Sequence, residues 1–289
     1  MKLATFQFRG YQSIGKIEGQ QIIDLPASDC SLPRTMLEFL QGGRAPMQRA
    51  RDLRIADAVT YPLADVRLDA PVPNPSKFLA IGMNYRRHVE EAVAAGIQVP
   101  DSQVWFSKQV SCVNGPFDPV QMPKVSDKLD YEAELGVVIG RRCRHVSEED
   151  AASVVAGYVI CNDVSVRDWQ MRSPTIMLGK SFNTHGPFGP WLVTPDEIAD
   201  PHALRLRMIV NGECRQEVNT GEMIYNIWQQ IAYLSTVMTL EAGDVLATGT
   251  PSGVGVAHKP SRFLRVGDVM RVEIDGVGHI ENVVVAEPV

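Results

Sequence analysis

Asp130-Tyr131-Glu132-Ala133-Glu134-Leu135-Gly136-Val137-Val138-Ile139-Gly140 sets two glutamates, one residue apart, at the head of an apolar run. Leu135, Val137, Val138 and Ile139 form a short apolar run closed by a glycine, the pattern of a buried strand. Side chains alternate along a strand, so Glu132 and Glu134 point to the same side. Two carboxylates side by side repel unless a cation, a partner or a shared proton lies between them. All-oxygen donors suit a hard divalent ion such as Mg²⁺. Taken alone, the stretch also fits a solvated strand edge with two surface glutamates.

The surrounding chain is long enough, at 289 residues, to bury a full core in one large domain or in a large and a small one. Hydrophobic content of 45% and charged content of 21% are ordinary for a soluble globular protein. The net charge of -6 and pI near 5.6 argue against a nucleic-acid partner. Met1–Gly10 carries no apolar signal region, and the apolar stretch around Val154–Cys161 is too short to span a bilayer. The five cysteines, Cys30, Cys112, Cys143, Cys161 and Cys214, are scattered with no CxxC. Reduced thiols in a cytoplasmic protein are the expectation that follows.

Upstream, Thr5–Arg9, Ser13–Glu18 and Gln21–Leu25 read as a β-meander, and Thr35–Leu40 and Pro46–Val59 as helices. Ala70-Pro71-Val72-Pro73-Asn74-Pro75 favours an extended connector. The expected division is therefore a small unit, 1–70, and a larger one, 71–289. Lys77–Ile81 is a short strand. A helix over Asn84–Ala95 follows, with Asn84 as a plausible N-cap. His88 and Glu91 stand three apart on one face of it. They form either a surface polar pair or a dyad in which the glutamate orients the ring and raises its basicity.

Downstream, Gly157–Cys161 is an apolar strand ending at Asn162-Asp163. An acid at the end of a buried strand is a common place for a ligand. If a helical turn follows, Asp163, Arg167 and Gln170 share one face. Lys180 lies in a Gly- and Pro-rich loop. Its Gly-Lys-Ser is not a P-loop, because Pro174 stands where the first glycine belongs. His185 has no partner at metal-ligand spacing and reads as a hydrogen-bonded loop histidine. Asn211-Gly212 predicts a hairpin, and Met223–Met238 a core helix. Thr248–Gly255 is a glycine-rich loop whose backbone N–H groups and Thr250 suit a carboxylate.

Eight motifs, in order and spacing, resemble the fumarylacetoacetate hydrolase family. They are Gly-x-Asn-Tyr-x-x-His-x-x-Glu (82–91), Phe-x-Lys (106–108), Asp-Tyr-Glu-Ala-Glu-Leu (130–135), Asn-Asp-Val-Ser-x-Arg-Asp-x-Gln (162–170), Gly-Lys-Ser (179–181), Gly-Pro-Trp (189–191), Asn-Gly-Glu (211–213) and Thr-Gly-Thr-Pro-x-Gly-Val-Gly (248–255). The match covers about 75 to 285.

That resemblance implies an α+β, β-rich fold, a mixed β-sandwich roll with a small N-terminal meander-and-helix unit, usually dimeric. It implies Mg²⁺ (or Mn²⁺ or Ca²⁺) held by Glu132, Glu134 and Asp163. It further implies water activation by His88 and Glu91, oxyanion contacts from Arg167, Gln170 and Lys180, and substrate contacts from Tyr85, Lys108 and Thr250. The implied reaction is hydrolysis of a C–C bond in a 2,4-dioxo acid, an acylpyruvate or a diketo sugar acid, through an enolate that the metal stabilises. Oxaloacetate decarboxylation, or a hydratase or lyase reaction on a 2-oxo acid, needs the same parts; a non-catalytic binding protein is the remaining alternative. The chain departs from the family in one loop, where Asn183 replaces an aspartate and His185-Gly186 follow.

Overall fold

The structure, a computed structural model, describes residues 1–94 and 96–288. The strand Ala133–Ile139 is buried along its whole length, because both of its faces are covered. Leu135, Val137 and Ile139 pack on one side with the helix Ile227–Val237 and the inner residues of a second sheet, such as Leu206, Met208, Val272 and Ile280. Val138 packs on the other side with Val159, Phe188, Leu3 and Phe39. This two-sided burial is why the run is continuously apolar rather than alternating.

The strand pairs antiparallel with Val155–Asn162 and with Val245–Ala247, near the middle of a 12-stranded sheet. Val245–Ala247 in turn pairs parallel with Phe78–Gly82, which pairs with Val104–Lys108. The second sheet has five strands and is built on the hairpin Arg205–Val210 and Glu213–Asn219. Asn211 and Gly212 both have positive φ there, at 51° and 81°, as a tight hairpin turn of matching twist requires. The result is a β-rich α+β roll.

The N-terminal meander does not form a sheet of its own. Lys2–Phe8 pairs with Tyr11–Glu18 on one side, and Lys2 and Leu3 pair with Val193 and Leu192 on the other. Residues 1–70 thus extend the central sheet, and Met36, Phe39 and Leu40 share the core of Phe78 and Phe188.

The helix expected over Pro46–Val59 spans Arg44–Asp52 instead, and two further helices differ from the sequence pattern at their ends. Asn84 is not an N-cap. It is fully buried, its Nδ2 donates to the Tyr225 and Thr248 carbonyls (3.0 and 2.8 Å), and its Oδ1 accepts from the Tyr225 N–H. The helix it was expected to cap spans Arg86–Ala94, and the expected end at Ala95 lies outside the described residues. The core helix begins at Ile227 rather than Met223. Asn226 and Gln229 close a capping box, while Ile224 and Tyr225 are held in an extended clasp with Asn84. Among the described residues, no helix is long and apolar enough to cross a membrane.

Candidate metal and acid–base site

Three carboxylates meet at the end of the central strands. In the ladder Ala133 faces Asn162 and Glu134 faces Cys161, so Glu132 and Asp163 leave the two strands side by side. The backbone ties them together: the Asp163 N–H donates to the Glu132 carbonyl (2.9 Å), and the Glu132 N–H donates to Asn162 Oδ1 (3.0 Å). Glu132, Glu134 and Asp163 each offer an oxygen, all within 4.8 Å of one another, and all three residues are buried.

Buried cations neutralise two of the three. Lys180 Nζ donates to Glu132 Oε2 (2.6 Å) and Asp163 Oδ2 (2.7 Å). Arg167 Nη1 donates to Glu132 Oε1 (2.6 Å), and Lys108 Nζ to Asp163 Oδ1 (2.5 Å). Burial alone would raise Glu132, but Lys180 and Arg167 outweigh it and hold the carboxyl down at about 2. Glu134 has no such cation. Its Oε2 accepts the Gly249 N–H (2.7 Å), and burial, then the Asp163 and Glu132 carboxylates, push it well above the usual carboxylate range. A divalent ion fits this donor set: three oxygen ligands converge, and one of them lacks the positive charge that its ionisation in a buried place demands.

His88 and Glu91 come together on the helix Arg86–Ala94, with Nδ1 and Oε2 3.1 Å apart. With Glu91 ionised, Nδ1 carries the proton and donates, which leaves Nε2 as the basic nitrogen. The ring is close enough to act electrostatically on Glu132. Arg167 and Gln170 also share a face, Nη1 donating to Oε1 over 2.9 Å, while the buried Arg167 Nη2 has no partner among the described residues. The buried Tyr85 hydroxyl likewise has none, and burial, reinforced by Glu134, raises its pKa so that it stays a donor.

Two residues expected at the substrate are engaged by the protein instead. Lys108 is buried behind the cluster, where it bonds Asp163 and the Lys180 carbonyl. Its role is that of counter-ion. The Thr250 hydroxyl donates to the Ala133 carbonyl (3.0 Å) and accepts from Gln216 Nε2 (2.9 Å). The glycine-rich loop does bind carboxylates, but they are the chain's own. Gly249 N–H reaches Glu134, Gly253 N–H reaches Glu91 (3.0 Å), and the N–H groups of Gly255 and Val256 reach Asp130 (2.7 and 3.0 Å). Gly249 and Gly253 have φ of +102° and +98°, and a Cβ on Gly253 would lie 2.1 Å from the Arg215 carbonyl oxygen.

The unusual loop after Lys180 is a clasp outside this site. Thr184 Oγ1 accepts the Gln121 N–H (2.9 Å), and His185 Nε2 donates to the Gln121 carbonyl (2.8 Å). Burial pushes His185 down to about 4. The folded state therefore holds it neutral while the unfolded chain protonates near 6.5. The resulting stability is present above pH 6.5 and is lost as pH falls toward 4, by on the order of 3 kcal/mol. His185→Gln is expected to flatten urea-unfolding stability between pH 6.5 and 4 relative to the parent chain; equal slopes for the two would refute this assignment.

A family model described as the C-terminal part of fumarylacetoacetate (FAA) hydrolase matches residues 77–285. The chain belongs to the fumarylacetoacetate hydrolase family. Among relatives in this family, the mitochondrial oxaloacetate tautomerase of Xenopus laevis is 44% identical over 93% of this chain and 84% of its own. A human mitochondrial oxaloacetate tautomerase is 42% identical over 96% and 90%. Among solved structures, the fumarylacetoacetate hydrolase of Exiguobacterium antarcticum aligns with a TM-score of 0.88 at 37% identity, covering 99% of this chain and 100% of that one. The maleylpyruvate hydrolase of Sphingobium sp. SYK-6, solved with manganese(II) and pyruvate, aligns at 0.82 and 33% identity over all of both chains. These relatives correct the expectation of a cytoplasmic location, since the Xenopus, human and rat tautomerases are mitochondrial. The free cysteines on which that expectation rested carry no address.

Proposed function

We propose that this chain is a divalent-metal-dependent enzyme that forms the enolate of a small 2-oxo acid, with oxaloacetate keto–enol tautomerisation as its first reaction. The observation that carries the reading is the buried cluster of Glu132, Glu134 and Asp163, with Glu134 lacking a cation, beside a histidine whose free nitrogen is Nε2. The 42–44% identity to oxaloacetate tautomerases over more than nine-tenths of the chain supports the substrate. Mg²⁺ or Mn²⁺ held by the three carboxylates would supply Lewis-acid polarisation of the 2-oxo group.

The chain's own groups do the rest. His88 Nε2 takes a proton from C3, held in its working tautomer by Glu91. The electron pair left at C3 becomes the C2–C3 double bond as the C2–O π pair moves onto the C2 oxygen. The unpartnered Arg167 Nη2 and Tyr85 hydroxyl donate to oxygens that gain charge, and Gln170 and Lys180 add donors beside them. Return of the proton to that oxygen completes the enol.

Hydrolysis of a 2,4-dioxo acid is the second reading, favoured by the His88–Glu91 dyad, which is equally suited to taking a proton from water, and by the likeness to maleylpyruvate hydrolase. The test is the ultraviolet enol absorbance of fresh oxaloacetate with Mg²⁺, with and without EDTA. Relaxation at least tenfold faster than with Mg²⁺ alone is expected, and EDTA should remove the gain. No acceleration, with cleavage of an acylpyruvate, would move the assignment to the hydrolase. Carbon dioxide release alone would move it to a decarboxylase, and no turnover of any of these acids to a binding protein.

A further inference from the structure

One carboxylate in the stretch Asp130–Gly140 has no part in the mechanism above. Asp130 is fully buried, and each of its oxygens takes two donors. Oδ2 accepts from Arg167 Nε (2.7 Å) and the Val256 N–H (3.0 Å). Oδ1 accepts from the N–H groups of Gly255 (2.7 Å) and Tyr131 (2.9 Å). Arg167 is thereby fixed at Nε by Asp130 and at Nη1 by Glu132, which leaves Nη2 as the donor without a protein partner.

The same carboxylate fixes the glycine-rich loop. Two residues before Gly255, Gly253 donates its N–H to Glu91 Oε1 (3.0 Å) and accepts the Tyr131 hydroxyl at its carbonyl (3.0 Å). A Cβ on Gly255 would stand 2.5 Å from Asp130 Oδ1, so the backbone must come this close for the bonds to form. Asp130 thus touches both halves of the acid–base machinery: the oxyanion donor directly, and the His88–Glu91 pair through Gly253.

We propose that Asp130 is a positioning residue that couples Arg167 to the His88–Glu91 dyad through the Gly253–Val256 loop. The proposal rests on the enolate reading of the site. It requires charge as well as shape. In Asp130→Asn an amide N–H₂ must face donors on at least one side, against Arg167 and Val256 or against Gly255 and Tyr131.

The test uses the full chain loaded with Mn²⁺, with oxalate as the probe of the 2-oxo acid site. For Asp130→Asn, calorimetry is expected to give Mn²⁺ affinity within threefold of the parent, oxalate affinity lower by about tenfold, and kcat lower by about 10–100-fold, the usual cost of losing a group that orients a working residue. Combined with Glu91→Gln, the loss should be smaller than the product of the single losses, because the two act through one loop. Tyr131→Phe removes the hydroxyl's bond to Gly253 and its contact with Arg215 and leaves Asp130 in place; it should lower kcat several-fold and leave oxalate binding unchanged, and it tests the loop even where Asp130→Asn does not fold. Multiplying losses, Mn²⁺ affinity falling in step with activity, or an unchanged kcat in Tyr131→Phe would each overturn the coupling. A parent chain that binds Mn²⁺ but not oxalate overturns the enolate reading and this inference with it.

Discussion

Glu134→Ala is expected to abolish metal binding and turnover together, with affinity for Mn²⁺ or Mg²⁺ lower by at least 100-fold and activity at background. The expectation follows from how charge is shared among the three carboxylates. Glu132 and Asp163 are each bonded to buried cations, whereas Glu134 accepts the Gly249 N–H and forms no ion pair among the described residues. Removing Glu134 leaves two carboxylates already neutralised by Lys180, Lys108 and Arg167, with little net attraction for a divalent ion. The fold survives. The lost acceptor for the Gly249 N–H costs about 1 kcal/mol, and removing a buried carboxylate crowded by two others offsets part of it. The melting temperature of the metal-free variant should therefore lie within about 2–4 °C of the parent. Calorimetric titration with Mn²⁺ checks the first half and thermal unfolding the second; retained metal affinity would remove Glu134 from the site.

His88→Ala separates proton transfer from metal binding. Mn²⁺ affinity should stay within threefold, because His88 makes no bond to Glu132, Glu134 or Asp163 and acts on Glu132 only through space. Turnover should fall about 10²–10⁴-fold, the range for a lost general base. Glu91→Gln should fall less, about 10–100-fold, because the ring stays in place and loses only its orienting partner. Steady-state rates with saturating metal for the three proteins decide the matter. Activity of His88→Ala within tenfold of the parent would place the base elsewhere.

Local patterns in the sequence carried much of the architecture. The alternation at Glu132 and Glu134, the three-residue spacing of His88 and Glu91, and Asn211-Gly212 are each read within one turn or one strand, where geometry follows from period alone. Asp163 stood out as an acid at the end of a buried strand, and the resemblance to a known family then supplied the roll and grouped Asp163 with the two glutamates. Long-range partners were not legible. The loop N–H groups were read as a carboxylate holder, but their acceptors Glu134, Asp130 and Glu91 lie 115, 125 and 162 residues away. Nothing local distinguishes a bound substrate carboxylate from the chain's own. Lys108 failed for the same reason, since a lysine at the end of a strand can face solvent, substrate or, as here, a buried aspartate. Asn84 has the residue type of a helix cap, and its side chain was taken by Tyr225 and Thr248 in a tertiary clasp instead.

On the proposed reading, the carboxylate cluster and His88 together make an enolate from a 2-oxo acid. Deuterium incorporation at C3 of oxaloacetate in D₂O, followed by proton NMR beside carbon dioxide release, tests it most directly. Exchange is expected to be faster than decarboxylation, accelerated by Mg²⁺ or Mn²⁺, removed by EDTA, and lost in both Glu134→Ala and His88→Ala. Exchange no faster than in metal alone, or exchange that survives EDTA and both substitutions, would contradict it.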